Sequence, residues 1–488
     1  MTMNTPTTTH SKNLNKYTLN PYFRELSFYI SLPVYVRVSE IEKELQSGVK
    51  KPFKKLYKSI IGDCHAMGQI PITFIRQVLS IVTYPELLRS CEMPEDVKSR
   101  AKDLLMACAG HSIGAYTAPF GMEMVRKHCA QYITKRDEGL PSDWTNIILG
   151  NGATSCIKSI LHLLQCEVNS KRSGVMIPVP QYPLYQAALK EFNLHQINYY
   201  LDESSNWSLE VTELDRALLE SKKVSYPRAI VIINPGNPTG QVLTRKNMEE
   251  IVKFAHVNNL IILADEVYQQ NIYDDNSEFI SFKRVIMEMG LPYSEIELVS
   301  FMSCSKGYMG ECGIRGGFIE IVNMDPFVKN MYMEVVSSLL CPNVMGQIVL
   351  DLVCNPPEKG EPSYDQFILE KSKILNTFKE KARLVKETFD SIEGISCNPV
   401  QGAMYAFPQI HFPPKFIDEA KKQSREPDDL YTVRLVDETG ICVSPGSLFG
   451  QQSGTYHFRN TILHQTDDLK EMLYIFKTFH ENFIKIYS

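Results

Sequence analysis

Between residues 105 and 350, short apolar runs alternate with longer stretches whose apolar positions recur every three or four residues. Runs at 174–177, 229–233, 260–264, 297–302 and 317–321 are apolar throughout, the pattern of strands covered on both faces. Between them, 155–164 and 246–256 carry helical periodicity. This alternation predicts an α/β fold, with a large three-layer α/β/α domain built on a mostly parallel sheet. A proline-rich loop at 355–362 follows, then a helix with Ile374, Phe378, Ala382, Val385, Phe389 and Ile392 along one face. That stripe is core packing and carries no functional signal. Short strands at 404–407, 441–443 and 456–458 complete a smaller α/β domain.

The predicted organisation has four parts. Residues 1–20 form a flexible polar tail, and 21–104 form an N-terminal arm and part of the small domain. Residues 105–350 form the large domain, and 351–488 the C-terminal small domain. No internal repeat is present.

Composition narrows the class. Of 488 residues, 44% are hydrophobic and 22% charged, ordinary for a globular protein. With 51 basic and 56 acidic residues the net charge is −5, which offers no basic field for nucleic acid and no polybasic patch for a membrane. No apolar run approaches the roughly 18 residues that would span a bilayer. The twelve cysteines form no C-x-x-C pair. Cys304 and Cys312 lie near Lys306 but lack the second half of a zinc site, so no metal is expected. The first twenty residues are rich in Thr and Asn and have no apolar segment of the secretory type, so a cytoplasmic location is expected.

The chemistry gathers where strands end, the place where open parallel sheets collect ligands. Lys306 sits among small and hydroxyl residues (Ser303-Cys304-Ser305-Lys306-Gly307), with Arg315 nine positions on and Gly316-Gly317 after it. A primary amine can capture a carbonyl, and an arginine can hold an anion beside it. Ala153 and Thr154 open a helix after Ile147-Ile148-Leu149; such a start suits phosphate, or is an ordinary capped helix. Asp265 ends an apolar run and could pair with a cationic ring nitrogen, with Tyr268 donating to a ring oxygen; a solvated strand-end carboxylate is the alternative. The Asn234-Pro235-Gly236-Asn237-Pro238-Thr239-Gly240 turn is rigid enough to aim Asn237 at a ligand. Tyr182 could stack on a flat ring. Arg459, at the end of the strand predicted at 456–458, could grip a carboxylate or form a surface ion pair.

Taken together over residues 55–485, the chain resembles the fold-type I pyridoxal-phosphate aminotransferases, and within them the alanine aminotransferases. The carrying segments are Ile61-Gly62-Asp63, Met67-Gly68-Gln69, and residues 181–185, 234–240, 264–268, 305–317, 401–407 and 456–463. The resemblance implies pyridoxal 5′-phosphate as cofactor, amino acids and 2-oxo acids as substrates, and a homodimer. In it, Lys306 matches the Schiff-base and proton-transfer lysine, and Asp265 the partner of the pyridine nitrogen. Asn237 and Tyr268 match contacts to the ring hydroxyl, and Tyr182 the stacking aromatic. Ala153, Thr154, Ser303 and Arg315 match the phosphate cup. Tyr116 resembles the tyrosine that reaches the neighbouring subunit's cofactor, and Arg459, with Asn237, matches the grip on the substrate carboxylate.

Many relatives in the wider class place this lysine and arginine eight apart rather than nine; the longer Gly310-Glu311-Cys312-Gly313 stretch resembles the alanine-specific branch. The implied reaction is ping-pong transamination of L-alanine with 2-oxoglutarate. A glutamate–glyoxylate or kynurenine-type aminotransferase is the second reading, and a cofactor-sensing regulator a third. The third would need a DNA-binding module, and residues 1–104 carry no helix-turn-helix pattern.

Overall fold

A computed structural model describes residues 12–24, 26, 32–90 and 92–488. The start of the predicted tail, residues 1–11, lies outside them. The centre of the molecule is a mixed eight-stranded sheet. Its order is Ile147–Gly150, Gly317–Val322, Leu298–Ser303, Ile261–Asp265, Tyr226–Ile233 and Lys171–Val179. His195–Tyr200 and the two-residue Glu167–Val168 both pair with Lys171–Val179. The pairings from Leu298–Ser303 through to His195–Tyr200 are parallel, whereas Gly317–Val322 runs antiparallel to both its neighbours.

Alternate residues of each strand feed separate cores, which makes the unit three-layered. Ile230 and Ile232 join the cluster with Leu214, Met248 and Phe282. Ala229, Val231 and Ile233 join the opposite cluster with Ile157, Leu161 and Tyr185. All five apolar runs read as strands are strands. His195–Tyr200 escaped the sequence pattern because it alternates polar with apolar residues, with Gln196 half-buried and Asn198 exposed. The helix expected at 155–164 begins earlier, at Gly152, and runs to Leu163. The other expected helix is Arg245–Asn258, whose first turn is capped by the Thr244 side chain accepting from the Asn247 N–H.

The stripe at 374–392 lies on the 27-residue helix Tyr364–Asp390 and its end, with Phe378, Ala382, Val385, Phe389 and Ile392 all buried. They pack with Tyr57 and Cys64 from the N-terminal region and with Phe458 and Phe476 from the C-terminal one. Small sheets join these segments: Tyr57–Lys58 pairs with Ile441–Cys442, and Tyr405–Ala406 and Ser444–Pro445 flank Phe458–Thr461. The last strand corrects the expected span of 456–458. Arg459 therefore lies inside a strand rather than at its end, at 2% exposure. Among the described residues no helix is long and apolar enough to cross a membrane.

Candidate functional site

At the carboxyl edge of the central sheet the two α/β units enclose a cavity of about 280 Å³. Lys306, Asp265, Tyr268, Asn237, Tyr182, Ala153, Thr154, Ser303, Arg315 and Arg459 all line it, as do Ile61, Gly62, Cys312 and Tyr405. Tyr116 does not: it is 74% exposed on the surface of the single chain.

Strand geometry explains the convergence. Asp265 and Ser303 are the last residues of neighbouring parallel strands, so the sheet delivers both to one edge. Asn237 hangs from the turn after Tyr226–Ile233, the next strand along. Asp265 is buried at 4% exposure, and its Oδ2 accepts from the Tyr185 hydroxyl at 2.9 Å. Its Oδ1 is buried with no hydrogen-bond partner among the described residues. Burial pushes this carboxyl up to about 6, against the opposing pull of the Tyr185 hydroxyl and the Val267 N–H.

Lys306 Nζ donates to the Gly62 carbonyl at 2.8 Å and lies 5.8 Å from the centre of the Tyr268 ring. Burial, the largest single influence, disfavours its ammonium, and the net shift is nonetheless upward, with Tyr405 first among the groups that raise it. Tyr268 donates to the Tyr405 hydroxyl at 3.1 Å, and burial drives its own phenol well above the usual range.

Arg459 is held by two hydrogen bonds and two aromatic rings. Its Nη1 donates to Asn237 Oδ1 at 3.0 Å and its Nη2 to the Ile60 carbonyl at 2.6 Å. The guanidinium carbon lies 4.2 Å from the Tyr405 ring centre and 4.5 Å from that of Phe449. A cation fixed in one plane, between aromatic faces, presents a fork to a carboxylate with little ordering left to lose.

Opposite, the helix Gly152–Leu163 points its N-terminus at the cavity beside Arg315. Arg315 adopts φ 63°, and its Nη1 donates to the Cys312 carbonyl at 2.9 Å. Gly152 sits at φ 78°, and a Cβ there would collide with Arg315 Nη2. Gly317 is as constrained, since its Cβ would lie 2.5 Å from Ala153 N. Free N–H groups, the positive helix end, Arg315 and the Ser303 and Ser305 hydroxyls form a cradle for a phosphate.

Pyridoxal phosphate fits this arrangement. The unpartnered Asp265 oxygen suits a protonated ring nitrogen, Tyr182 supplies a flat face, and the cradle suits the phosphate. Sequence reasoning assigned no role to Tyr185, Tyr405 or Phe449, nor to the Ile60 and Gly62 carbonyls. The tyrosines lay in segments already singled out, but a backbone carbonyl contributes the same atom whatever the residue, so its sequence offers no cue.

The chain is similar to known proteins along most of its length. Residues 78–475 match the family model described as aminotransferase class I and II. The chain is 53% identical to alanine aminotransferase 2 of Xenopus laevis over 96% of this chain and 87% of that protein. It is 42% identical to glutamate–glyoxylate aminotransferase 1 of Arabidopsis thaliana, over 98% of each. A solved alanine aminotransferase from Pyrococcus furiosus, only 20% identical, shares the fold with a TM-score of 0.74 over 95% of this chain and 99% of its own.

Proposed function

The chain belongs to the class I and II aminotransferases, and from that premise we propose that it exchanges an amino group between L-alanine and 2-oxoglutarate, giving pyruvate and L-glutamate. Pyridoxal phosphate, when bound, supplies the aldehyde that receives the amino group and a ring that takes up the electron pair left at Cα. Everything else is done by the protein. Arg459 takes the α-carboxylate and fixes the direction of the Cα–H bond. Lys306 Nζ, once free of its proton, removes the Cα proton. Asp265 Oδ1 would pair with the ring nitrogen and keep its positive charge, and Tyr268 and Asn237 would hold the ring hydroxyl. Ile61 and Tyr405 complete the lining of the cavity.

One observation carries the proposal: a lysine amine, an unpartnered buried carboxylate oxygen and a clamped guanidinium face the same 280 Å³ cavity. The direct test is steady-state turnover of L-alanine with 2-oxoglutarate, read as pyruvate, with and without added cofactor. Turnover confined to glutamate with glyoxylate would move the assignment to the second reading. That reading ranks lower because the relatives named alanine aminotransferase are closer in sequence.

A homodimer belongs to the same proposal. The helix Pro326–Ser337 leaves Phe327, Met331 and Val335 exposed along one face, continued by Leu339 and Leu340. This face adjoins Pro119, three residues beyond the exposed Tyr116. Large apolar side chains on one surface favour a partner copy, which would bring Tyr116 to the neighbouring site. Sedimentation of the purified protein as a monomer with full activity would remove this part. A cytoplasmic location is part of the proposal and is tested by fractionation.

A further inference from the structure

His457 takes no part in the mechanism above and does not line the cavity. It is 1% exposed and immediately precedes the strand Phe458–Thr461, which carries Arg459. Its Nε2 lies 3.1 and 3.0 Å from the two carboxylate oxygens of Glu203. Its Nδ1 lies 3.1 Å from Gln451 Oε1, an oxygen that also accepts the His457 backbone N–H at 3.1 Å. That backbone bond fixes the orientation of the Gln451 amide. Both ring nitrogens therefore face oxygen atoms, of Glu203 on one side and Gln451 on the other.

The His457 ring is the outer end of a column that reaches Arg459. It stacks on Phe407 with centroids 4.8 Å apart and planes 2° from parallel. Phe407 meets Phe449 edge-on at 5.8 Å, and Phe449 is the ring against the Arg459 guanidinium. Trp207 wedges the outer end, 5.6 Å from His457 and 5.9 Å from Phe407. Glu203 and Trp207 follow the strand His195–Tyr200 of the large sheet, whereas Phe407, Phe449 and His457 surround the small ones. The column and its ion pair thus bridge the two units directly behind the guanidinium.

We propose that Glu203 and His457 form a positioning pair that sets the affinity for the substrate α-carboxylate, by pinning the aromatic column on which Arg459 lies. The proposal rests on the reading of Arg459 as the carboxylate-binding residue. The pair holds Phe407 flat, Phe407 holds Phe449, and Phe449 closes one face of the guanidinium. Neither member touches a reacting atom, so the pair acts on binding and not on proton transfer.

The test uses the cofactor-loaded enzyme and two probes followed through cofactor absorbance. 2-Methylalanine has the α-carboxylate but no Cα proton, and ethylamine has the amine without the carboxylate. In Glu203→Gln, 2-methylalanine binding weakens about tenfold and ethylamine binding is unchanged; KM for alanine rises by a similar factor, with kcat within about twofold. Glu203→Asp recovers most of the loss, and Trp207→Phe, which leaves the charges in place, shifts 2-methylalanine binding alone and by less. Equal weakening of both probes, or no change in either, overturns the positioning role. Arg459→Lys separates this failure from that of its premise. If it leaves 2-methylalanine binding intact, the carboxylate reading of Arg459 falls and the proposal falls with it. If it weakens that binding while Glu203→Gln does not, the positioning role falls alone.

Discussion

The Tyr185 hydroxyl donates to Asp265 Oδ2 at 2.9 Å and leaves Oδ1 as the carboxylate's only open face. Burial favours the neutral carboxyl, whose midpoint stands at about 6, and the phenol pulls the other way. Removing the hydroxyl in Tyr185→Phe raises that midpoint further. A hydrogen bond to a charged group contributes about 1.5–3 kcal/mol, so a smaller share of the carboxyl is ionised at neutral pH and pyridoxal phosphate affinity falls about two- to fifteenfold. The sign in pH follows. Only the ionised carboxylate pairs with a protonated ring nitrogen, so affinity declines as pH drops through about 6 in the natural protein, and the decline begins at higher pH in the variant. Equilibrium dialysis of the cofactor between acidic and neutral pH reads both; coincident curves would remove the role assigned to Tyr185.

Asp265 was legible because a charged residue ended an apolar run, and the sheet carries that pattern directly to the cavity edge. Arg459 was legible as a residue but not in its place. The aromatic run before it suggested a strand ending at 458, whereas pairing with Tyr405–Ala406 and Ser444–Pro445 moves the strand forward to Phe458–Thr461. The partners that clamp it could not be read. Ile60 contributes only a carbonyl, from a segment remote in sequence, and Phe449 only a ring face. Tyr116 illustrates the opposite limit: its place in one chain is plain exposure, and a role requires a second copy.

Lys306→Ala separates covalent capture from binding. The phosphate cradle and Asp265 remain, so the variant still takes up pyridoxal phosphate. It loses both the amine that captures the aldehyde and the base at Cα. General-base catalysis alone is worth about two to four decades in rate, so turnover falls by at least that much. Borohydride treatment followed by peptide mass analysis checks the covalent part: the natural protein retains the cofactor on the peptide containing position 306, and the variant does not. Label on that peptide in Lys306→Ala would remove the assignment.

Gly152→Ala addresses the phosphate cradle without touching a charged group. The added methyl meets Arg315 Nη2, and φ 78° is a conformation that side chains other than glycine adopt at a cost. Strain of this type costs about 1–3 kcal/mol of fold stability with or without a ligand, whereas displacing Arg315 acts on phosphate affinity. A charge-assisted hydrogen bond lost there is worth about 1.5–3 kcal/mol, so pyridoxal phosphate binds at least about tenfold more weakly, whereas pyridoxal, which lacks the phosphate, is much less affected. A variant that loses both ligands equally would place the defect elsewhere than in the cradle.

His480 makes acid stability testable. It is fully buried, its Nδ1 lies 2.8 Å from the Tyr431 hydroxyl, and its Nε2 lies 3.1 Å from the Glu393 carbonyl. A carbonyl only accepts, so Nε2 holds the proton and Nδ1 receives the phenol's: the ring is satisfied when neutral. Burial accordingly lowers its midpoint to about 4. An unfolded histidine titrates near 6.5, so the unfolded chain binds the proton first. The stability contributed is present above about 6.5 and is lost as pH falls toward 4, on the order of 3 kcal/mol. Burial pushes Asp265 and Asp428 up to about 6, and Glu266 up to about 7; these carboxyls take up protons in the folded state and work in the opposite direction. The raw slope of stability against pH is therefore a sum, and the informative quantity is a difference. His480→Gln can keep a donor and an acceptor in place without titrating. Its urea midpoint, lower than that of the natural protein at pH 7.5, converges on it by pH 4.5. Parallel curves across that range would mean that His480 is not the neutral, buried base its hydrogen bonds describe.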